Sequence, residues 1–323
     1  MKKNILYILP MMLLALALTS CDKDEIKSES IITVDSYTQN SFDKWLEANY
    51  VKPYNIAFKY RYEEIESDLN YYTVPAQMDN AVMMAHLVKY LCIETYDEVA
   101  GIDFTRQNFP KEFFLIGTWE FRNNGTYILG TAEGGKKILL AGINYLDQYL
   151  ATGDVAYNLN HFYIKTIHHE FTHILNQTKD YSTDFQTVTG SGYVSDSWST
   201  HPYDGYDTDA DARAGKTNNA YLLRGFISAY AQMEHKEDFA EMVAEYVTHD
   251  EAWWQEQLAK ANGTYDDTQT AKGNVLLENK LEIVRDYLKV SWGIDIDELR
   301  STILRRQGNI LSGLVDLTDL TVE

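Results

Sequence analysis

The chain has 323 residues, with 28 Lys and Arg against 48 Asp and Glu and a formal net charge of −20, and at that length it can bury one or two hydrophobic cores without cross-links. Hydrophobic residues make up 45% and aromatic residues 13%, the usage of a folding chain and not of a disordered one. The acidity, with no Lys/Arg-rich run to offset it, argues against nucleic acid as a partner, and two cysteines, Cys21 and Cys92, supply neither a disulfide framework nor a Cys-rich zinc cluster.

Residues 1–20 read as a secretory signal peptide: Lys2 and Lys3, an apolar run from Ile5 to Leu18 broken by Pro10, then Thr19 and Ser20 before Cys21. The run is shorter than the roughly 20 residues of a spanning helix. Leu18-Thr19-Ser20-Cys21 resembles the bacterial lipobox, which implies that Cys21 becomes the lipidated first residue, in contrast to a simple cleaved signal with an incidental cysteine. Asp22-Lys23-Asp24-Glu25 is similar to the surface-export signal of Bacteroidota lipoproteins. The implied location is the outer membrane, lipid-anchored and facing the exterior, with no other contact to the bilayer. Residues 21–40 then form a lipidated acidic linker and residues 41–323 the folded domain.

Ser41 is expected to cap a helix over Phe42 to Asn49, and Asn55 to Tyr62 has strand character. Gln77 to Thr95 carries apolar residues at helical spacing. Cys92 lies within it and reads as a small core residue. Phe113 to Thr118, Thr126 to Gly130 and Lys136 to Asn144 are β-rich runs separated by Asn123-Asn124-Gly125 and Gly134-Gly135, which predicts an antiparallel meander. Asn160 to Asn176 is helical, Thr178 to about Asn219 is a long Gly, Ser, Asp and Thr-rich excursion, and helical periods dominate from Tyr221 onward. Sheet first and helices after predicts an α+β domain with its cleft at the junction.

The helix over Asn160 to Asn176 carries His169-Glu170-Phe171-Thr172-His173, an H-E-x-x-H motif. Residues four apart on a helix point the same way, so both imidazoles can reach one metal ion while Glu170, a quarter turn round, can reach an attacking water. His169 and His173 lie within about 40° on the wheel, and Ile164, Ile167, Phe171, Ile174 and Leu175 occupy the far side. That polarity suits a helix anchored in a core with its histidines in a cleft. His168 lies roughly 100° away from its neighbour and reads as a supporting or structural residue.

A catalytic zinc takes three protein ligands and leaves a position open. The third candidate lies in Glu237-Asp238-Phe239-Ala240-Glu241, where Glu237 and Glu241 share one helical face and Phe239, Val243, Tyr246 and Val247 form the apolar stripe. Both acids lie on the correct face, so spacing alone does not choose between them.

An H-E-x-x-H followed some sixty residues later by Glu237-x-x-x-Glu241 resembles the gluzincin metallopeptidases. The resemblance implies a zincin-like fold, with a mixed or antiparallel N-terminal sheet and a helical C-terminal half. It also implies Zn2+ as cofactor, His169, His173 and Glu237 as ligands, Glu241 orienting a ligand histidine, and Glu170 as general base. Tyr230, seven residues before Glu237, is similar in placing to a tyrosine of lethal-factor-type domains that stabilises the transition state. With the lipobox and Gly225-Phe226-Ile227-Ser228-Ala229-Tyr230-Ala231, the chain resembles the zinc metallohydrolase lipoproteins encoded beside TonB-dependent nutrient importers in Bacteroidota. That implies hydrolysis of peptides, proteins or glycopeptides before import, and association with an importer. A non-catalytic capture lipoprotein with a structural or vestigial zinc site is the rival, and a non-peptide amide substrate a third reading.

The acidic stretch Asp204 to Asp211 fails the EF-hand template: counting from Asp207, Ala212 stands where glycine is required and Asn218 where glutamate is required. His161, His201, His235 and His249 have no ligand partner at diagnostic spacing and read as structural.

Overall fold

A four-stranded sheet in the order β1 (Ala57–Lys59), β2 (Glu112–Leu115), β6 (Lys137–Leu140), β5 (Gly130–Glu133) forms the N-terminal half together with its helices. The computed structural model describes residues 38–322, apart from 69, 123–125, 134 and 215. The expected signal peptide, Cys21 and the expected acidic linker up to residue 37 lie outside the described residues, as do the expected turn at Asn123-Asn124-Gly125 and Gly134. Residues from Asn40 onward form one unit, and no helix among the described residues is long and apolar enough to cross a membrane.

The sheet is mixed, and the expected meander is not present. β1, β2 and β6 run parallel, and only β5 pairs antiparallel with β6. The reason is legible in burial. Phe113, Phe114 and Leu115 on β2 and Ile138, Leu139 and Leu140 on β6 are buried without alternation, the pattern of parallel strands covered on both faces. The run from Thr126 to Gly130 divides: Tyr127–Ile128 (β4) pairs with Glu120–Phe121 (β3) in a separate ribbon, and the chain then enters β5 at the sheet's edge.

Helix α1 (Ser41–Leu46) starts one residue earlier than expected, because Asn40 and not Ser41 is the cap. The Asn40 side chain accepts from the Asp43 N–H at 2.8 Å, and the Asp43 carboxylate accepts from the Asn40 N–H at 2.9 Å, a reciprocal pair that satisfies two amides at once. α2 (Met78–Leu87) continues through a wider turn at Val88–Ile93 into Glu94–Ala100 and buries Cys92 completely. That burial pushes the Cys92 thiol well above its ordinary pKa, so the residue is inert core.

α3 (Lys165–Thr178) carries the H-E-x-x-H motif and follows a wide turn at Asn160–Ile164. Its apolar face is buried as expected, with Phe171 edge-on to Tyr96 at 4.8 Å. β5 lies against this helix at Gly130, where a Cβ would stand 2.6 Å from the Leu139 carbonyl oxygen and 2.7 Å from Thr166 Cγ2. α4 (His235–Thr248) packs along α3 and is backed by α5 (Gly273–Tyr287) and α6 (Ile296–Leu311). The excursion between α3 and α4 is partly helical, with short turns at Asp184–Thr189, Ser195–Ser199 and Asp209–Arg213.

Candidate metal centre

α3 and α4 run antiparallel, and each presents residues four apart to the other. Their meeting brings His169 Nε2, His173 Nε2 and Glu237 Oε2 together: 3.1 Å between the nitrogens, and 3.0 and 3.3 Å from them to the carboxylate oxygen. Donors about 2.0–2.1 Å from a common tetrahedral centre stand about 3.3–3.4 Å apart. The separations and the chemistry, two imidazoles and one carboxylate, fit zinc. Among the described residues this is the group of His, Cys, Asp and Glu close enough to hold a metal ion.

Glu241, the other acid considered as ligand, occupies a different place. Its Oε1 is 2.9 Å from His169 Nδ1. A carboxylate can only accept there, so His169 carries a proton on Nδ1 and turns Nε2 to the cluster, where a metal ion would take the place of the second proton, as for a histidine oriented as a ligand. Burial opposes a charge on His169, but the flanking Glu237 and Glu241 carboxylates outweigh it and lift its pKa to about 10. Burial likewise opposes the Glu237 charge, and the two histidines overcome it and hold that carboxyl below the usual range.

Glu170 is buried on the β5 side of α3. Burial raises its pKa above the ordinary carboxylate value, opposed by His169 and His173 and by the Ala132 backbone N–H. A carboxylate so poised suits general-base work. Tyr230 stands on a short helical turn, Tyr230–Gln232, with its ring 5.9 Å from that of His169 and edge-on to Trp198 at 5.0 Å. Burial and the adjacent Glu237 carboxylate push its hydroxyl far above the ordinary tyrosine pKa, so it stays a donor at working pH.

The Tyr230 turn is held from two sides. The Val194 and Ser195 N–H groups donate to the Gln232 and Met233 carbonyls at 2.8 and 3.1 Å, and Arg224 bonds the Gly192 carbonyl and the Gln232 side chain while lying over the Tyr203 ring. The excursion therefore walls the site. Ser228 donates to Glu241 at 2.6 Å and accepts from the Ala231 N–H at 3.1 Å, which joins the Tyr230 turn to the carboxylate behind His169.

Lys165, Ser228 and Trp198 escaped the sequence reading. Lys165 and His169 are four apart on one face, a signal in plain view, but its partners Glu241 and Glu245 lie about eighty residues away. His168 is completely buried with Nδ1 3.1 Å from the Tyr96 hydroxyl, away from the cluster. His161 stacks on Tyr157, His249 on Trp253, and His235 and His201 bond Tyr181 and the Tyr206 carbonyl.

A family model described as "putative zinc-binding metallo-peptidase" matches residues 35–297. Among solved structures, a chain described as a putative zinc-binding metallo-peptidase from Bacteroides caccae ATCC 43185 is 37% identical, with 87% of this chain and 96% of that one covered and a TM-score of 0.67. No curated protein matches. The match over most of the chain, the shared α+β fold and the His-His-Glu cluster agree, and the chain belongs to this family of zinc-binding metallo-peptidases.

Proposed function

We propose that the chain is a gluzincin-type zinc metallopeptidase that hydrolyses peptide bonds of proteins, peptides or glycopeptides. The observation that carries this reading is the convergence of His169 Nε2, His173 Nε2 and Glu237 Oε2, with Glu241 on the far nitrogen of His169. Zinc bound there would supply Lewis-acid polarisation of the scissile carbonyl and a lowered pKa for water. Glu170 would take a proton from the attacking water and deliver it to the leaving amine. Tyr230, kept protonated, would donate to the oxygen that gains charge. Among the described residues β5 is an edge strand beside Glu170, and an extended substrate would add to that edge as a further strand.

The N-terminal sequence supports a wider setting: export, lipidation at Cys21 and display on the outer membrane as a partner of a TonB-dependent importer. Cys21→Ser should then release the chain from membranes, and retention of that variant in the membrane fraction would count against lipidation.

The activity is tested by metal content and by cleavage of a mixed peptide library. One zinc per chain and cleavage that stops with chelator and returns with zinc are expected. Bound zinc without hydrolysis would contradict the enzyme reading and favour substrate capture.

A further inference from the structure

The charged faces of α3 and α4 continue past the three candidate ligands into the protein. On α4 the acids fall at Glu237, Glu241 and Glu245, each one turn from the next; on α3 the opposing residues are His173, His169 and Lys165. The pairing interdigitates. His169 lies between Glu237 and Glu241 at 3.0 and 2.9 Å, and Lys165 Nζ lies between Glu241 and Glu245 at 3.2 and 3.0 Å. Lys165 and Glu245 are largely buried and Glu241 is 3% exposed. Without Lys165, two carboxylates one turn apart would face each other in a medium that screens them poorly.

Glu241 can serve His169 only if its side chain keeps one orientation. Oε1 is committed to His169, and Oε2 receives Ser228 at 2.6 Å and Lys165 at 3.2 Å. The hydroxyl contributes a directed bond, and the ammonium supplies the opposite charge. We propose that Lys165 is a positioning residue for the metal centre: it holds Glu241 against His169 Nδ1 and thereby fixes the Nε2 donor towards the ion. It touches neither ligand atom nor substrate. Outer partners of this kind are worth about 10–100-fold in metal affinity.

This inference rests on the reading of His169, His173 and Glu237 as ligands, and the test separates the two. Zinc affinity of the full chain is measured by competition with a chromophoric chelator for wild type, Lys165→Met, Glu241→Gln and the double variant. Lys165→Met should weaken zinc binding about 10–100-fold. Because Lys165 acts through Glu241, the double variant should bind no more weakly than Glu241→Gln alone. Should Lys165→Met fail to fold, Lys165→Met with Glu245→Gln removes both charges together, and the same loss of affinity is expected there. Unchanged affinity in the variants, or a double variant whose losses add, would overturn the role of Lys165 while leaving the ligand assignment intact. A wild-type chain that holds no zinc would overturn both.

Discussion

Glu170 and Glu237 are both glutamates facing one cluster, but their surroundings differ. Glu237 is drawn between two imidazoles, whereas Glu170 is set apart by burial that raises its pKa. Glu237→Ala should therefore lose zinc on dialysis, while Glu241→Gln should keep it with affinity lowered about 10–100-fold; the reverse order would exchange their roles. Tyr230→Phe should lower kcat about 10²–10³-fold, the usual loss for one oxyanion donor, with little change in zinc content. His168 offers a separate test. Burial pushes its pKa down to about 3, below the ordinary value near 6.5, so the unfolded chain binds this proton more readily than the folded one. The contribution of neutral His168 to stability is complete above about 6.5 and is lost as pH falls from there towards 3. Urea midpoints across that window should fall more steeply for wild type than for His168→Asn, and equal slopes would contradict the assignment.

The two helices that build the centre depend on how β5 and the excursion reach them. Gly130→Ala should push β5 from Thr166 and the Leu139 carbonyl, at a cost of about 1–3 kcal/mol, read as a lowered urea midpoint. At this scale the sequence was informative where structure is local. His169, Glu170 and His173 lie within one turn and a half, and so do Glu237 and Glu241, so their shared faces follow from helical geometry alone. Which of Glu237 and Glu241 meets both Nε2 atoms does not, because it depends on which end of α4 meets which imidazole. The parallel pairing of β2 with β6 spans more than twenty residues and is not set by turn chemistry. Its trace, the unalternating Phe113-Phe114-Leu115 and Ile138-Leu139-Leu140, was outweighed by the glycines between the runs. The excursion read as loop because Ser, Gly and Asp dominate it, although Val194, Ser195 and Arg224 fasten it to the Tyr230 turn.

Across the molecule, the centre is fastened from behind by a completely buried ion pair, Asp238 on α4 with Lys280 on α5 at 2.6 Å. Tyr193 donates to the same Asp238 oxygen at 2.9 Å, and Lys280 also donates to the Gly225 carbonyl at 2.7 Å. One pair thus ties together the Glu237 helix, the excursion and the segment leading to Tyr230. Lys280→Met would leave Asp238 in the interior without its counter-ion, a loss of about 3–5 kcal/mol that thermal unfolding would register as a large drop in Tm. All these elements converge on one claim, that zinc on His169, His173 and Glu237 works with Glu170 as base. Its most direct test is the rate of chelator-sensitive peptide cleavage by zinc-loaded Glu170→Gln beside wild type. The account predicts equal zinc content and a rate lower by about 10²–10⁴-fold; wild-type turnover in that variant would contradict it.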